Sequence, residues 1–143
     1  MKDFEFHRPA TIVTDRGKHA ADSYFKGLFE TSLADGELVT AVHFPVPRRA
    51  AYAKFAHRAS KYAVVGVFVA ETAGGVRVAI TGAGATVFRS AAMEAALTSS
   101  MTPGALDGIT VPADDLNADA EASAEYRAHL IGVMAKRAVA ALR

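Results

Sequence analysis

The chain has 143 residues, of which 51% are apolar and 22% charged, with a formal net charge of +1 and no cysteine. That is the composition of one folded domain with its own core, not of a disordered chain. The missing cysteine excludes disulfides, a thiolate nucleophile, cysteine-ligated zinc and cysteine-held iron–sulfur clusters within the chain. The near-neutral balance gives no general pull toward nucleic acid. No apolar run reaches the roughly 18–20 residues of a membrane span, and "MKDFEFHRPA" lacks the apolar core of a secretory signal. The expectation is a soluble cytoplasmic protein.

In chain order, "ATIV" at 10–13 predicts a short strand closed by the turn "DRGK". "DSYFKGLFETSL" at 22–33 places Phe25, Leu28, Phe29 and Leu33 at helical spacing, so a short helix capped by Asp22 is expected. "ELVTAVHF" at 37–44 alternates like a strand, and "PVP" at 45–47 stops it. "AYAKFAH" at 51–57 predicts a second strand, with Tyr52 and Lys54 on one face and Phe55 and His57 on the other. "YAVVGVFVAE" at 62–71 is apolar enough to be buried on both faces. "TAGG" is a hairpin turn, and "VRVAITGAG" is the returning strand.

Near Ser90 the period changes from two to 3.6. "SAAMEAALTS" predicts a helix, "TPGALDGITVPADDLNAD" a loop with a helical turn, and "ASAEYRAHLIGVMAKRAVAALR" a long helix. In the last, Tyr126, Leu130, Met134 and Ala138 recur every four residues, with Lys136, Arg137 and Arg143 toward the C-terminal end. The sum is an α+β domain, with an antiparallel sheet of three or four strands over 37–81 packed against a three-helix layer from residues 88–143.

Few motifs carry chemistry. "TGAGATV" at 81–87 lacks the third small residue of a dinucleotide fingerprint and reads as a strand end and turn. His7, His19, His43, His57 and His129 show no metal-ligand spacing. Asp114 and Asp115 follow Pro112 and read as capping or preceding a helix, and Ser99, Ser100 and Ser123 have no nucleophile-elbow context. The basic run at 48–61 stands out. It reads either as a lysine-guarded edge strand or as an anion site built on Lys54 and Arg58.

"YFKGLFETSLADGELVTAVHFPVP", "AYAKFAHRASKYAVVGVFVA", "GGVRVAITGAGATVFR" and "ASAEYRAHLIGVMAKRAV" closely resemble successive segments of the flavoprotein (medium) subunit of molybdenum hydroxylases. The aerobic carbon monoxide dehydrogenase branch is nearest and xanthine dehydrogenase more distant. The resemblance covers residues 10–143 and implies that subunit's C-terminal domain. Residues 1–9, "MKDFEFHRP", resemble the start of the FAD-binding domain. The glycine-rich flavin motifs that would follow are absent, so the main FAD-binding domain is expected to be missing.

The resemblance implies that Lys54 lies near FAD, that Tyr62 lies against the isoalloxazine, and that Arg58, less directly, braces the turn or faces a partner subunit. Lys61 departs from the family, where aspartate is common. In the full enzyme the implied partners are a molybdenum-binding large subunit and an iron–sulfur small subunit. The chain alone is then an incomplete oxidoreductase, binding FAD weakly or not at all. Tyr24, Phe25 and Phe29 are expected to form an apolar scar that favours a homo-oligomer. The alternative is a stand-alone α+β assembly or small-ligand-binding module without redox activity. A nucleotide- or nucleic-acid-binding role for residues 48–61 fits less well, given few aromatics and neutral charge.

Overall fold

A computed structural model describes residues 10–143, and the reading of residues 1–9 lies outside the described residues. Strands β1 (Thr11–Thr14), β2 (Lys18–Ala20) and β5 (Val39–His43) form a small antiparallel sheet in the order β2-β1-β5. Between them, β3 (Phe25–Gly27) and β4 (Glu30–Thr31) form a hairpin. The larger sheet has the order β6-β7-β8-β9, from Arg49–Ala56, Ala63–Thr72, Gly75–Thr81 and Phe88–Arg89. Helices α1 (Ala91–Ser99) and α2 (Ala124–Ala140) cover one face of it.

The β6–β7–β8 meander follows from alternation. Ala53, Val67 and Ile80 stand in one cross-strand row and Val69 and Val78 in the next, all turned toward the helices. Met93 and Leu97 of α1 and Leu130, Ile131, Met134 and Ala138 of α2 close over them. β-Branched residues suit the pleated surface, and alanine on α2 lets helix and sheet approach closely. The expected double burial of β7 holds for Gly66 and Ala70 on the outer face, but Phe68 is partly exposed there.

Several expectations are corrected. Residues 22–33 are not a helix. A 3-10 turn at Ala21–Ser23 leads into the β3–β4 hairpin, closed by the Ser32 N–H on the Tyr24 carbonyl at 2.8 Å. The stripe of Phe25, Leu28 and Phe29 has no surface to pack on, and Phe29 takes the tip at φ +59° with 99% exposure. Helical propensity without a buried face does not hold a short helix. Of the three scar aromatics, Tyr24 is buried, edge-on to His19 and Phe25. Strand 37–44 joins β1 rather than β6, because the Pro45–Pro47 break releases it from the larger sheet. The helical layer has two α-helices and a 3-10 turn at Pro103–Leu106 where three helices were expected. Asp114 and Asp115 cap no helix. They sit in a turn beside the Gly84–Leu116 bridge, and the N-cap of α2 is Ser123.

The small sheet is fastened by Glu37, whose carboxylate accepts from the Ala34 N–H at 2.9 Å, from the Thr14 hydroxyl and from His19 Nε2 at 3.1 Å. These donors, the Ala34 amide foremost, hold Glu37 at about 2. A depressed carboxylate stabilises the fold above its unfolded value and loses that contribution as pH falls through its folded one. The small sheet should therefore loosen between about pH 4.5 and 2. Amide exchange at β1 and β5 measured against pH checks this, and Glu37→Gln should remove the dependence in that window.

Candidate functional site

The site candidates sit where β6 turns into β7. Lys54 faces outward opposite Gly66, and Tyr52 opposite Phe68, so the helix-distal face of the sheet carries Tyr52, Lys54, Phe68 and Thr81. A Cβ at Gly66 would lie 2.2 Å from the Tyr52 hydroxyl, which means the phenol lies flat across the glycine and reaches toward Thr81 Oγ1 at 3.5 Å.

The connecting turn is self-bonded. The His57 N–H donates to the Tyr62 carbonyl at 2.8 Å and the Lys61 N–H to the His57 carbonyl at 3.0 Å. His57 Nδ1 accepts from the Ala59 and Ser60 N–H groups, both at 3.2 Å. That fixes the neutral ring's proton on Nε2, which faces Glu121 Oε1 at 3.3 Å and ties the turn to the loop before α2. Lys61 adopts φ +63°. Asparagine, aspartate and glycine tolerate that region better, and lysine carries roughly 1 kcal/mol of strain there. The Lys54 ammonium donates to the Lys61 carbonyl at 3.0 Å, so the site lysine is held across the mouth of the turn. Tyr62 follows at once, 80% exposed. Arg58 is exposed on the same turn and makes no ion pair among the described residues.

The basic run thus divides by role. Arg49 chelates Glu71 at 2.9 and 2.7 Å directly across the ladder, with Arg48 beside it at 4.0 Å. β6 is indeed an edge strand guarded by cations. Lys54 at the mouth of the turn and Arg58 and Lys61 within it have no carboxylate bound to them among the described residues.

Beneath the turn lies a knot that the sequence does not announce. Arg127 of α2 is buried, 4% exposed, and its Nη1 donates to the Val64 carbonyl at 2.6 Å and the Gly82 carbonyl at 3.2 Å. Its Nη2 meets Asp119 Oδ2 at 2.7 Å. The Ala122 and Glu121 N–H groups and Arg127 together hold Asp119 below its ordinary range. Gly82, at φ +75°, packs so closely that a Cβ would fall 2.2 Å from the Ala63 carbonyl oxygen. Gly82 of "TGAGATV" therefore serves close backbone approach. The one signal for Arg127 was its place four residues before Ile131 and eight before Ala135, on the buried stripe of α2. Tyr126, expected on that stripe, is partly exposed, edge-on to Phe55 and stacked on His129.

Among the described residues no three His, Asp or Glu side chains come together as a metal site, and no helix is long and apolar enough to cross a membrane. Lys54 and Tyr62 can offer a cation and a ring to a planar anionic group. The N–H groups of Ala59, Ser60, Lys61 and Tyr62 are all bonded within the turn, so none of these four backbone donors is free for a pyrophosphate.

No family model matches the chain. The carbon monoxide dehydrogenase medium chain of Afipia carboxidovorans is 30% identical over 132 residues, covering 84% of this chain and 46% of that protein. The structure of reconstituted CO dehydrogenase from Oligotropha carboxidovorans matches with a TM-score of 0.74 at 27% identity, over 94% of this chain and 52% of the other. Carbon monoxide dehydrogenase from Hydrogenophaga pseudoflava, in a form lacking the Mo-pyranopterin moiety, matches with a TM-score of 0.71 at 26% identity, over 95% and 53%. The chain spans about half the length of these relatives. The sequence likeness and the shared α+β architecture agree, and the chain is similar to part of the medium chain of carbon monoxide dehydrogenase and shares that part's fold.

Proposed function

We propose that the chain forms one wall of the flavin site in a cytoplasmic molybdenum hydroxylase of the carbon monoxide dehydrogenase kind, as that subunit's C-terminal domain, and docks against a molybdenum-binding large subunit and an iron–sulfur small subunit. The observation that supports it is the placement of the Lys54 ammonium across the turn that projects Tyr62. FAD, when bound, supplies the electron-accepting ring. Lys54 opposes negative charge that builds on the reduced ring, or pairs with a phosphate. Tyr62 covers one face of the ring and keeps water from it. Arg58, exposed beside them, faces the partner surface.

This wall is half of a site. Immobilising the ligand costs as much as in a whole site, while the pyrophosphate gains no backbone donors from residues 59–62. FAD should bind the isolated chain with a Kd on the order of 0.1 mM or weaker. With no cysteine to hold an iron–sulfur relay, the chain alone should oxidise nothing. Equilibrium titration of FAD fluorescence checks this, and Lys54→Ala should weaken binding roughly tenfold, the loss of about 1.4 kcal/mol. A yellow protein that keeps its flavin through gel filtration would overturn the half-site reading. A flat titration unaffected by Lys54→Ala would favour the stand-alone module.

A further inference from the structure

A cavity of about 770 Å³ lies between the small sheet and the outer face of the larger one. Its floor is the side of β7 and β8 turned away from the helices, where Phe68 stands opposite Ala79 and Ala70 opposite Arg77. Phe25 of the β3–β4 hairpin and Phe44, just before the proline break, line it from the other side. These three rings keep apolar surface open, with Phe25 49%, Phe44 75% and Phe68 39% exposed. The two sheets share no strand pairing, so no ladder draws them together over the gap. Facing apolar walls that do not touch leave their dispersion contacts unmade.

Three charged side chains line the cavity. Two of them are paired: Arg89 Nη1 reaches Asp22 Oδ2 at 3.3 Å, and Arg89 Nη2 is held further by Glu94 at 2.6 Å. Both Glu94 oxygens are taken, by Arg89 and by the Val78 N–H. Arg77 is half-buried and has no carboxylate partner among the described residues. Its Nη1 donates to the Val76 carbonyl at 3.3 Å, and the rest of its planar fork of five N–H donors has no acceptor there. That fork matches a carboxylate in two parallel hydrogen bonds. A small hydrophilic anion would satisfy Arg77 and leave the rings wet. An uncharged ring would cover the floor and leave Arg77 without an acceptor. One molecule meets both demands when it joins an anion to a flat apolar body, and the cavity has the volume of an ordinary small-molecule site. We infer that this cavity binds a small aromatic carboxylate, its anion on Arg77 and its rings against Phe25, Phe44 and Phe68. Lys54, Arg58 and Tyr62 do not line it, so the inference is independent of the flavin reading.

Fluorescence titration of the intact chain with 2-naphthoate tests it, with 2-naphthamide as the uncharged isostere. Naphthoate should bind saturably and at least about tenfold more tightly than the amide. Arg77→Gln should abolish that preference while leaving amide binding unchanged, which also shows that the variant is folded. Arg77→Lys should keep part of the preference, and Lys54→Ala should leave all of it. The comparison of the two ligands on the wild-type chain and on Lys54→Ala decides the matter even where an Arg77 variant fails to fold. No binding at millimolar naphthoate, equal affinity for the amide, a preference that survives Arg77→Gln, or one that is lost in Lys54→Ala would each overturn the proposal.

Discussion

Arg127→Ala should lower the unfolding free energy by about 3 kcal/mol. The guanidinium is the shared donor for the Val64 and Gly82 carbonyls and for Asp119, and the first of these contacts is fully buried. Alanine leaves both carbonyls without that donor and opens a void against the sheet. Asp119 is half exposed and can turn to water, so Asp119→Asn should cost about 1 kcal/mol. Urea unfolding followed by far-ultraviolet circular dichroism measures both. Equal losses in the two variants would mean that the ion pair, rather than the carbonyl contacts, supplies the stabilisation. The effect bears on function because Val64 stands two residues after Tyr62. A knot that loosens should let the Lys54–Lys61 bridge open and weaken any contact made at the turn.

Gly82→Ala should cost about 3–4 kcal/mol. Two effects add there: a left-handed backbone at φ +75°, and a Cβ driven to within 2.2 Å of the Ala63 carbonyl oxygen. Gly108 separates them. Its φ of +76° is almost the same, and nothing lies within 4 Å of its missing Cβ, so Gly108→Ala should show the backbone term alone, about 1–2 kcal/mol. If the two substitutions cost the same in urea unfolding, the close approach of β7 and the Gly82 turn contributes nothing.

How far the sequence could be read depended on whether a local pattern was the deciding force. The β6–β8 meander and α2 were legible because period-two and period-3.6 burial fixes them. Residues 22–33 were not, since the spacing of Phe25, Leu28 and Phe29 matches a helix whose apolar face finds no partner in the fold. Strand 37–44 was read as a strand correctly and given the wrong neighbour, because chain adjacency to β6 was cut by Pro45 and Pro47. In the proposed site, Lys54 and Tyr62 were singled out by the family resemblance alone, and alternation placed Lys54 on the same face as Tyr52, as the ladder has it. Arg127 was not, because a charged residue on a buried stripe declares itself only when its carbonyl partners, 63 and 45 residues away, are in place. Gly82 showed in the sequence as a turn glycine, and only the fold shows that Ala63 occupies the space of its side chain.

The central claim, that the Lys54–Tyr62 turn is the flavin-facing wall, is tested most directly by amide and side-chain NMR shifts of the isolated chain titrated with FAD. The account predicts weak, saturating shifts confined to Lys54, Lys61, Tyr62 and the adjoining Gly66 surface, reduced in Lys54→Ala. Shifts centred elsewhere, such as at the α1 N-terminus around Ser90, or no shifts at millimolar FAD, would contradict it.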